Sequence, residues 1–282
     1  MALDLGMMLS AVRITGSDGA LGTGFLMTVP SEAIPGERYG YLLTAHHVIA
    51  QQTAVWAEIP DAFGEGDLYD PFLVRDWRQP LSNVDLAIAP IPDRPDRNYQ
   101  ALQFETHVLV DDPPSPFLQL GRDVHYIGIL APLNRPMVRT GALGALHQTG
   151  IDHKGGYVYP AHLADCRSYA GFSGSPCFLN VEYAALRPSQ RPPTSSEPPQ
   201  GFPPLGALYD FAVFCGMFTQ HLDDEKKSDV VSRYGVGVML RAEEIREALM
   251  TEENRKERRK WDAGHETSGP QLENESHEDR AD

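Results

Sequence analysis

Gly171-Phe172-Ser173-Gly174-Ser175-Pro176 sets one serine between glycines at a forced turn. A serine hydroxyl attacks poorly unless a base takes its proton and donors meet the resulting oxyanion. Glycines on both sides let the backbone turn sharply and aim N–H groups at one point. Thr44-Ala45-His46-His47-Val48 offers a base, and Asn83-Val84-Asp85-Leu86-Ala87-Ile88 holds a single carboxylate inside an apolar stretch. In such a set one ring nitrogen of His47 accepts the Ser173 proton, while Asp85 holds the other nitrogen and steadies the imidazolium. The amides of Gly171 and Ser173 supply the oxyanion hole. His46 competes with His47 for the base. Asp61, Asp67, Asp70 and Asp76 compete with Asp85, which alone sits in an apolar strand where burial against a histidine is expected. Ser168 and Ser175 lack the paired glycines and read as turn and strand hydroxyls. Base, carboxylate and nucleophile follow in the order His, Asp, Ser, which places the first two in one half of the molecule and the serine in the other.

Thr44-Ala45-His46-His47-Val48 resembles the histidine box of the trypsin-like serine peptidases, Asp85-Leu86-Ala87-Ile88 their aspartate box, and Gly171 to Pro176 their serine box. Gly22-Thr23-Gly24-Phe25-Leu26 resembles the strand before the histidine box, and Phe214–Thr219 and Tyr234–Met239 the two closing strands. The likeness spans roughly residues 10–250 and is nearest to the bacterial branch that holds high-temperature-requirement proteases and glutamyl endopeptidases. It implies a serine endopeptidase working through an acyl-enzyme, without cofactor or metal, on protein or peptide substrates. It also implies that His47, directly before Val48, is the base. The implied fold is all-β: two antiparallel β-barrels packed around a central cleft, with a C-terminal α-helix. A primary substrate pocket is implied beside the segment before Ser173 and the strand around Phe214–Phe218, with Arg167 and Gly216 as its candidate lining. Arg167 pointing to solvent or pairing with Asp165 is the competing reading, and Phe218 argues against acid specificity. Phe172 replaces the aspartate that pairs with a new N-terminal amine in digestive members, so activation by N-terminal clipping is not expected. The alternative function is a catalytically silent trypsin-like fold serving as a protein-interaction module. An esterase of the Gly-x-Ser-x-Gly type fits poorly, because Ser175 stands where glycine is required and the histidine precedes the serine.

The elements that must position these residues read as short strands punctuated by turns. The chain has 282 residues with 25 glycines and 23 prolines, and its net charge is −15. That charge disfavours a nucleic-acid partner, since phosphate binding needs clustered Lys and Arg. No stretch approaches the length of a membrane span. Cys166, Cys177 and Cys215 make an odd count that leaves at least one thiol outside any disulfide, and no secretion signal opens the chain, so a cytoplasmic location is expected. His147, His153 and His162 lack regular metal-ligand spacing. A regulatory protein partner is a further expectation.

Strands are predicted at Ser10–Thr15, Gly24–Val29, Tyr39–Ala45, Thr53–Ile59, Val84–Ile91, Val124–Ile129, Tyr157–Ala161, Pro176–Val181, Phe211–Thr219 and Tyr234–Leu240. The peptidase domain is expected over 1–250, with barrels at about 10–110 and 120–240 and a proline-rich insertion at 187–205. Ala242, Ile245, Ala248 and Leu249 share one stripe of a helix at 241–250. Residues 251–282 are expected to be a charged, largely disordered tail, with the helix reaching at most to Lys260.

Overall fold

A computed structural model describes residues 5–17, 19–59, 72–91, 100–107, 118–130, 135–149, 151, 156–166, 171–182, 210–223 and 233–267. The expected proline-rich insertion and the chain beyond 267 lie outside them. After a short helix α1 (Leu5–Leu9), six strands build the first sheet: β1 (Ala11–Gly16), β2 (Gly19–Pro30), β3 (Arg38–Thr44), β4 (Val55–Glu58), β5 (Phe72–Val74) and β6 (Ala87–Ile91). Their order is β5-β4-β1-β2-β3-β6, and β7 (Leu102–Gln103) adds a short parallel rung to β2. One turn of helix, α2 (His46–Ile49), follows β3, and another, α3 (Phe104–His107), follows β7.

The second half is a closed antiparallel barrel. β8 (Asp123–Leu130), β9 (Arg135–Gln148), β10 (Ala161–Asp165), β11 (Pro176–Glu182), β12 (Asp210–Asp223) and β13 (Arg233–Arg241) close in the order β10-β13-β12-β11-β8-β9. Helix α4 (Ala242–Leu249) and helix α5 (Glu252–Thr267) end the described chain. The halves share a core in which the Phe25 ring of β2 lies 5.3 Å from that of Phe214 in β12, itself 6.0 Å from Phe178 in β11. Aliphatic and aromatic side chains from both halves join this one buried cluster, so sheet and barrel dock as one body.

The first sheet is a half-barrel rather than a second closed one. β5 has only three residues, and past it the gap to β6 is spanned by a single bridge in which Arg78 and Ile88 exchange both backbone bonds at 2.9 Å. The Arg78 side chain reaches from this bridge to α5, pairing with Glu257 and donating to Asn254 Oδ1 at 3.3 Å. Helix α5 therefore lies over the gap.

Residues 252–267, expected to be largely solvated tail, form this docked helix. Asn254, Arg258, Trp261 and Asp262 recur at helical spacing on one face, and the three polar ones are buried. Asn254 Nδ2 donates to Ala248 O at 2.7 Å and Arg258 Nη1 to Leu249 O at 3.0 Å, satisfying carbonyls that α4 leaves open at its end. Asp262 Oδ1 accepts from Ser31 Oγ at 2.6 Å and from the Tyr39 hydroxyl, while the Trp261 ring stacks at an angle on Tyr39. Helix α4 has the apolar face its sequence predicts, with Ala242, Ile245, Ala248 and Leu249 all buried.

One strand was not expected and one expectation shifts. β9 is 14 residues long, yet mostly half-buried or exposed, so it carries little apolar signal. The segment Tyr157–Ala161 joins a ladder only at Ala161; residues 157–160 cross instead toward the first sheet.

Candidate active site

β3 leads directly into the histidine segment. Its last residue, Thr44, pairs with Ala87, and Ala45 is extended before the chain winds into the single turn α2. That turn presents His47 to Asp85, which lies just before β6. The His47 backbone N–H donates to Asp85 Oδ1 at 2.9 Å, and His47 Nδ1 lies 2.7 Å from Asp85 Oδ2. Asp85 is 1% exposed, so its two oxygens are held by the same residue through main chain and ring. A carboxylate so placed fixes the ring plane, keeps the proton on Nδ1, and leaves Nε2 as the basic nitrogen. Neither Asp85 oxygen is left to water alone, which offsets the cost of burying the charge.

The serine loop hangs from Thr23 of β2. Thr23 N donates to Ser173 O at 2.9 Å, and Thr23 Oγ1 donates to Gly171 O at 2.7 Å while accepting from Ile129 N at 3.1 Å. Gly174 turns with φ +89°, and a Cβ there would stand 1.9 Å from Thr23 O. Only glycine fits. At Gly22, a Cβ would lie 2.9 Å from Ser173 O and 3.0 Å from the Val48 methyls, so the serine loop and the helix of His47 meet across this bare position.

Within the loop, Ser175 N donates to Phe172 O at 3.0 Å. In a trans peptide the N–H opposes the carbonyl, so the Ser173 N–H points away from Ser175. The loop is stapled to β12 by Gly174 N to Phe218 O and Phe218 N to Ser175 O, both 2.8 Å. The Phe172 ring is buried against Gly128 and edge-on to Tyr126, with centroids 5.7 Å apart. A phenyl ring at this position cannot pair with an amine as a carboxylate would.

His47, Asp85 and the Ser173 loop thus converge, with Gly171 at the loop's entry in a left-handed turn of φ +98°. Arg167 lies outside the described residues, as do Asp61, Asp67, Asp70, His153 and Ser168. Asp76 is exposed. Gly216 pairs with Cys177 and Arg241, and a Cβ there would stand 2.1 Å from Leu240 O. A side chain at Gly216 would therefore collide with the neighbouring strand, and two residues further along β12 Phe218 bonds the serine loop at Gly174 and Ser175. Among the described residues no group of three His, Cys, Asp or Glu side chains is placed to hold a metal ion. His147 and His162 do meet, with ring centroids 5.0 Å apart, and burial beside His147 and Arg241 pushes His162 down to about 3.

Sequence reasoning missed the supporting groups. Thr23 stood only within a strand motif, yet it holds the loop at two points. His46 Nδ1 lies 2.6 Å from the Tyr157 hydroxyl, and the buried Tyr159 hydroxyl donates to Thr219 Oγ1 at 3.2 Å. These contacts join residues far apart in the chain, so no local pattern announces them.

No curated protein matches the chain by sequence. Among solved structures it is similar to the MamO protease domain from Magnetospirillum magneticum, with TM-score 0.55 and 12% identity over 87% of this chain and 98% of that one. It is also similar to an HtrA-type protease, a substituted AlgW with a tripeptide, with TM-score 0.51 and 15% identity over 89% of this chain and 64% of that one. At such identity these likenesses show the fold. The model of the trypsin-like peptidase domain matches residues 22–183, a span running from β2 through β11 and holding His47, Asp85 and Ser173. With that match covering more than half its length, on a half-barrel and barrel flanking one cleft, the chain belongs to the family of trypsin-like peptidase domains.

Proposed function

We propose that this peptidase is a serine endopeptidase with Ser173 as nucleophile, His47 as general base and acid, and Asp85 as the carboxylate that orients His47. The observation that carries the reading is the His47–Asp85 pair: ring and main-chain bonds of 2.7 and 2.9 Å to a buried carboxylate. A buried histidine–aspartate pair opposite a glycine-flanked serine suits acyl transfer better than a merely structural polar contact.

In this mechanism Ser173 Oγ attacks the scissile carbonyl carbon as His47 Nε2 takes its proton. The carbonyl oxygen becomes an oxyanion met by the amides of Gly171 and Ser173. Collapse expels the amine, which leaves with the proton from His47, and an ester joins the acyl group to Ser173. Water then attacks this ester, giving its proton to His47. The carboxylic acid product departs as Oγ recovers that proton.

Two supporting features bear on where and how it works. Phe172 occupies the position of the activating carboxylate, which favours activity without N-terminal clipping. All three cysteines are buried and joined by no disulfide, which favours a reducing compartment such as the cytoplasm. A substrate pocket involving Arg167 is part of the same proposal; a peptide-library profile unchanged in Arg167→Ala would remove it.

A fluorophosphonate probe tests the nucleophile. Wild type is expected to carry the probe on the peptide containing Ser173, and Ser173→Ala to remain unlabelled. Full labelling of Ser173→Ala would refute the assignment, and no labelling of wild type would favour a silent interaction module.

A further inference from the structure

We infer that residues 157–159 form a strap from the second barrel that positions the base pair of the first, with Tyr157 as its principal positioning residue. The inference rests on His47 as the base. Of three successive residues, two bond the segments that carry His47 and Asp85 and the third anchors the stretch in the second barrel. The Tyr157 hydroxyl lies 2.6 Å from Nδ1 of His46, the residue directly before His47, and the two rings meet edge-on at 87°. Val158 uses only its backbone: its N–H donates to Asn83 O at 2.9 Å, and its carbonyl accepts from Asn83 Nδ2 at 3.0 Å. Asn83 stands two residues before Asp85. Tyr159 turns back into the second barrel, where its hydroxyl donates to Thr219 Oγ1, which in turn donates to Val238 O at 3.2 Å.

One short stretch thus bonds both the histidine segment, at His46, and the aspartate segment, at Asn83. That stretch belongs to the half of the molecule carrying Ser173. Positioning follows, because base and nucleophile come from different halves, and a displacement of either by a fraction of an ångström degrades proton transfer. The polarity of the Tyr157–His46 contact is consistent with this role. Burial holds His46 below its ordinary range, outweighing the opposing pull of Asp85, while burial and Asp85 hold the Tyr157 phenol up. Among the described residues the other titratable groups bearing on His46 are His47 and Asp85, and a neutral ring accepts at Nδ1 from a neutral phenol.

Tyr157→Phe removes one oxygen and keeps the ring. Peptide hydrolysis by this variant is expected to show kcat lowered about tenfold and KM within about twofold of wild type. His46→Ala is expected to match it, and the double variant to be no worse than either, as for two ends of one contact. His46→Asn, which keeps an amide oxygen near the place of Nδ1, is expected to recover most of the loss. Losses that add in the double variant, or a Tyr157→Phe kcat within twofold of wild type, would overturn the strap. The low-field proton NMR signal of the His47–Asp85 bond separates this from the nucleophile assignment. Tyr157→Phe must shift or broaden it even in Ser173→Ala, and an unchanged signal would refute the strap whatever the nucleophile.

Discussion

In the second barrel six strands close a complete ring of ladders, and its own core is apolar: Tyr126, Phe172, Cys177, Phe218 and Met239 are all at or near zero exposure. The first sheet also has an apolar core, but its ring stays open between β5 and β6. A helix with a polar inward face closes that side, through Asn254, Arg258 and Asp262 with Trp261 among them. The two halves therefore keep their parts of the cleft in place by different means. The serine loop is fixed by strands on which it is directly stapled. The His47–Asp85 half leans in addition on α5, which bonds Arg78, Ser31 and Tyr39.

This difference predicts where damage is felt. Phe172→Ala empties the space between Gly128 and Tyr126 in the closed barrel and is expected to cost about 3–5 kcal/mol in urea unfolding. Its effect on hydrogen exchange should be greatest in β8, β11 and β12; equal loss of protection in β1 and β3 would break the comparison. Asp262→Ala leaves Ser31 and the buried Tyr39 hydroxyl without their shared acceptor, an expected cost of about 1–3 kcal/mol. Here the exchange should rise in β3 and α5 and leave β11 to β13 protected. The reverse pattern would show that α5 does not support the first sheet.

Acid titration sharpens the comparison with a smaller effect. Burial lowers His162 to about 3 from its ordinary 6.5, so the unfolded chain binds a proton there that the folded barrel refuses. Stability must then fall as pH drops below the ordinary value, by about 1 kcal/mol over the first unit, and continue to fall toward the folded value. His162→Leu is expected to flatten this part of the stability curve, and an unchanged slope would place the acid sensitivity elsewhere. Smallest is the exposed pair of Arg259 and Glu252 on α5. Glu252→Ala should shift unfolding by well under about 1 kcal/mol, since surface pairs gain little in water.

Legibility in the sequence followed the same division. β1, β3, β8, β11 and β13 could be placed because buried apolar residues alternate or run together within them. Helix α4 could be placed because its buried stripe is Ala242, Ile245, Ala248 and Leu249. The docked part of α5 was hidden because its stripe is polar. Asn254, Arg258 and Asp262 are buried by partners at Ala248, Leu249, Ser31 and Tyr39, and hydrophobic periodicity is blind to such pairing. β9 was hidden because an exposed strand of small and polar residues resembles a loop. At the site, His47, Asp85 and Ser173 stood in recognisable boxes, since their chemistry constrains the neighbours. Thr23, Tyr157 and Thr219 act through contacts made only on folding, and no spacing in the chain marks them.

The most direct test asks whether Ser173, His47 and Asp85 act as one unit. Peptide hydrolysis would be measured for Ser173→Ala, His47→Ala and the double variant against wild type. Each single change is expected to lower kcat by about 10⁴–10⁶, and the double change to lower it no further, because removing either partner already ends nucleophilic catalysis. Losses that multiply in the double variant, or a His47→Ala enzyme within about tenfold of wild type, would contradict a Ser173 nucleophile activated by His47.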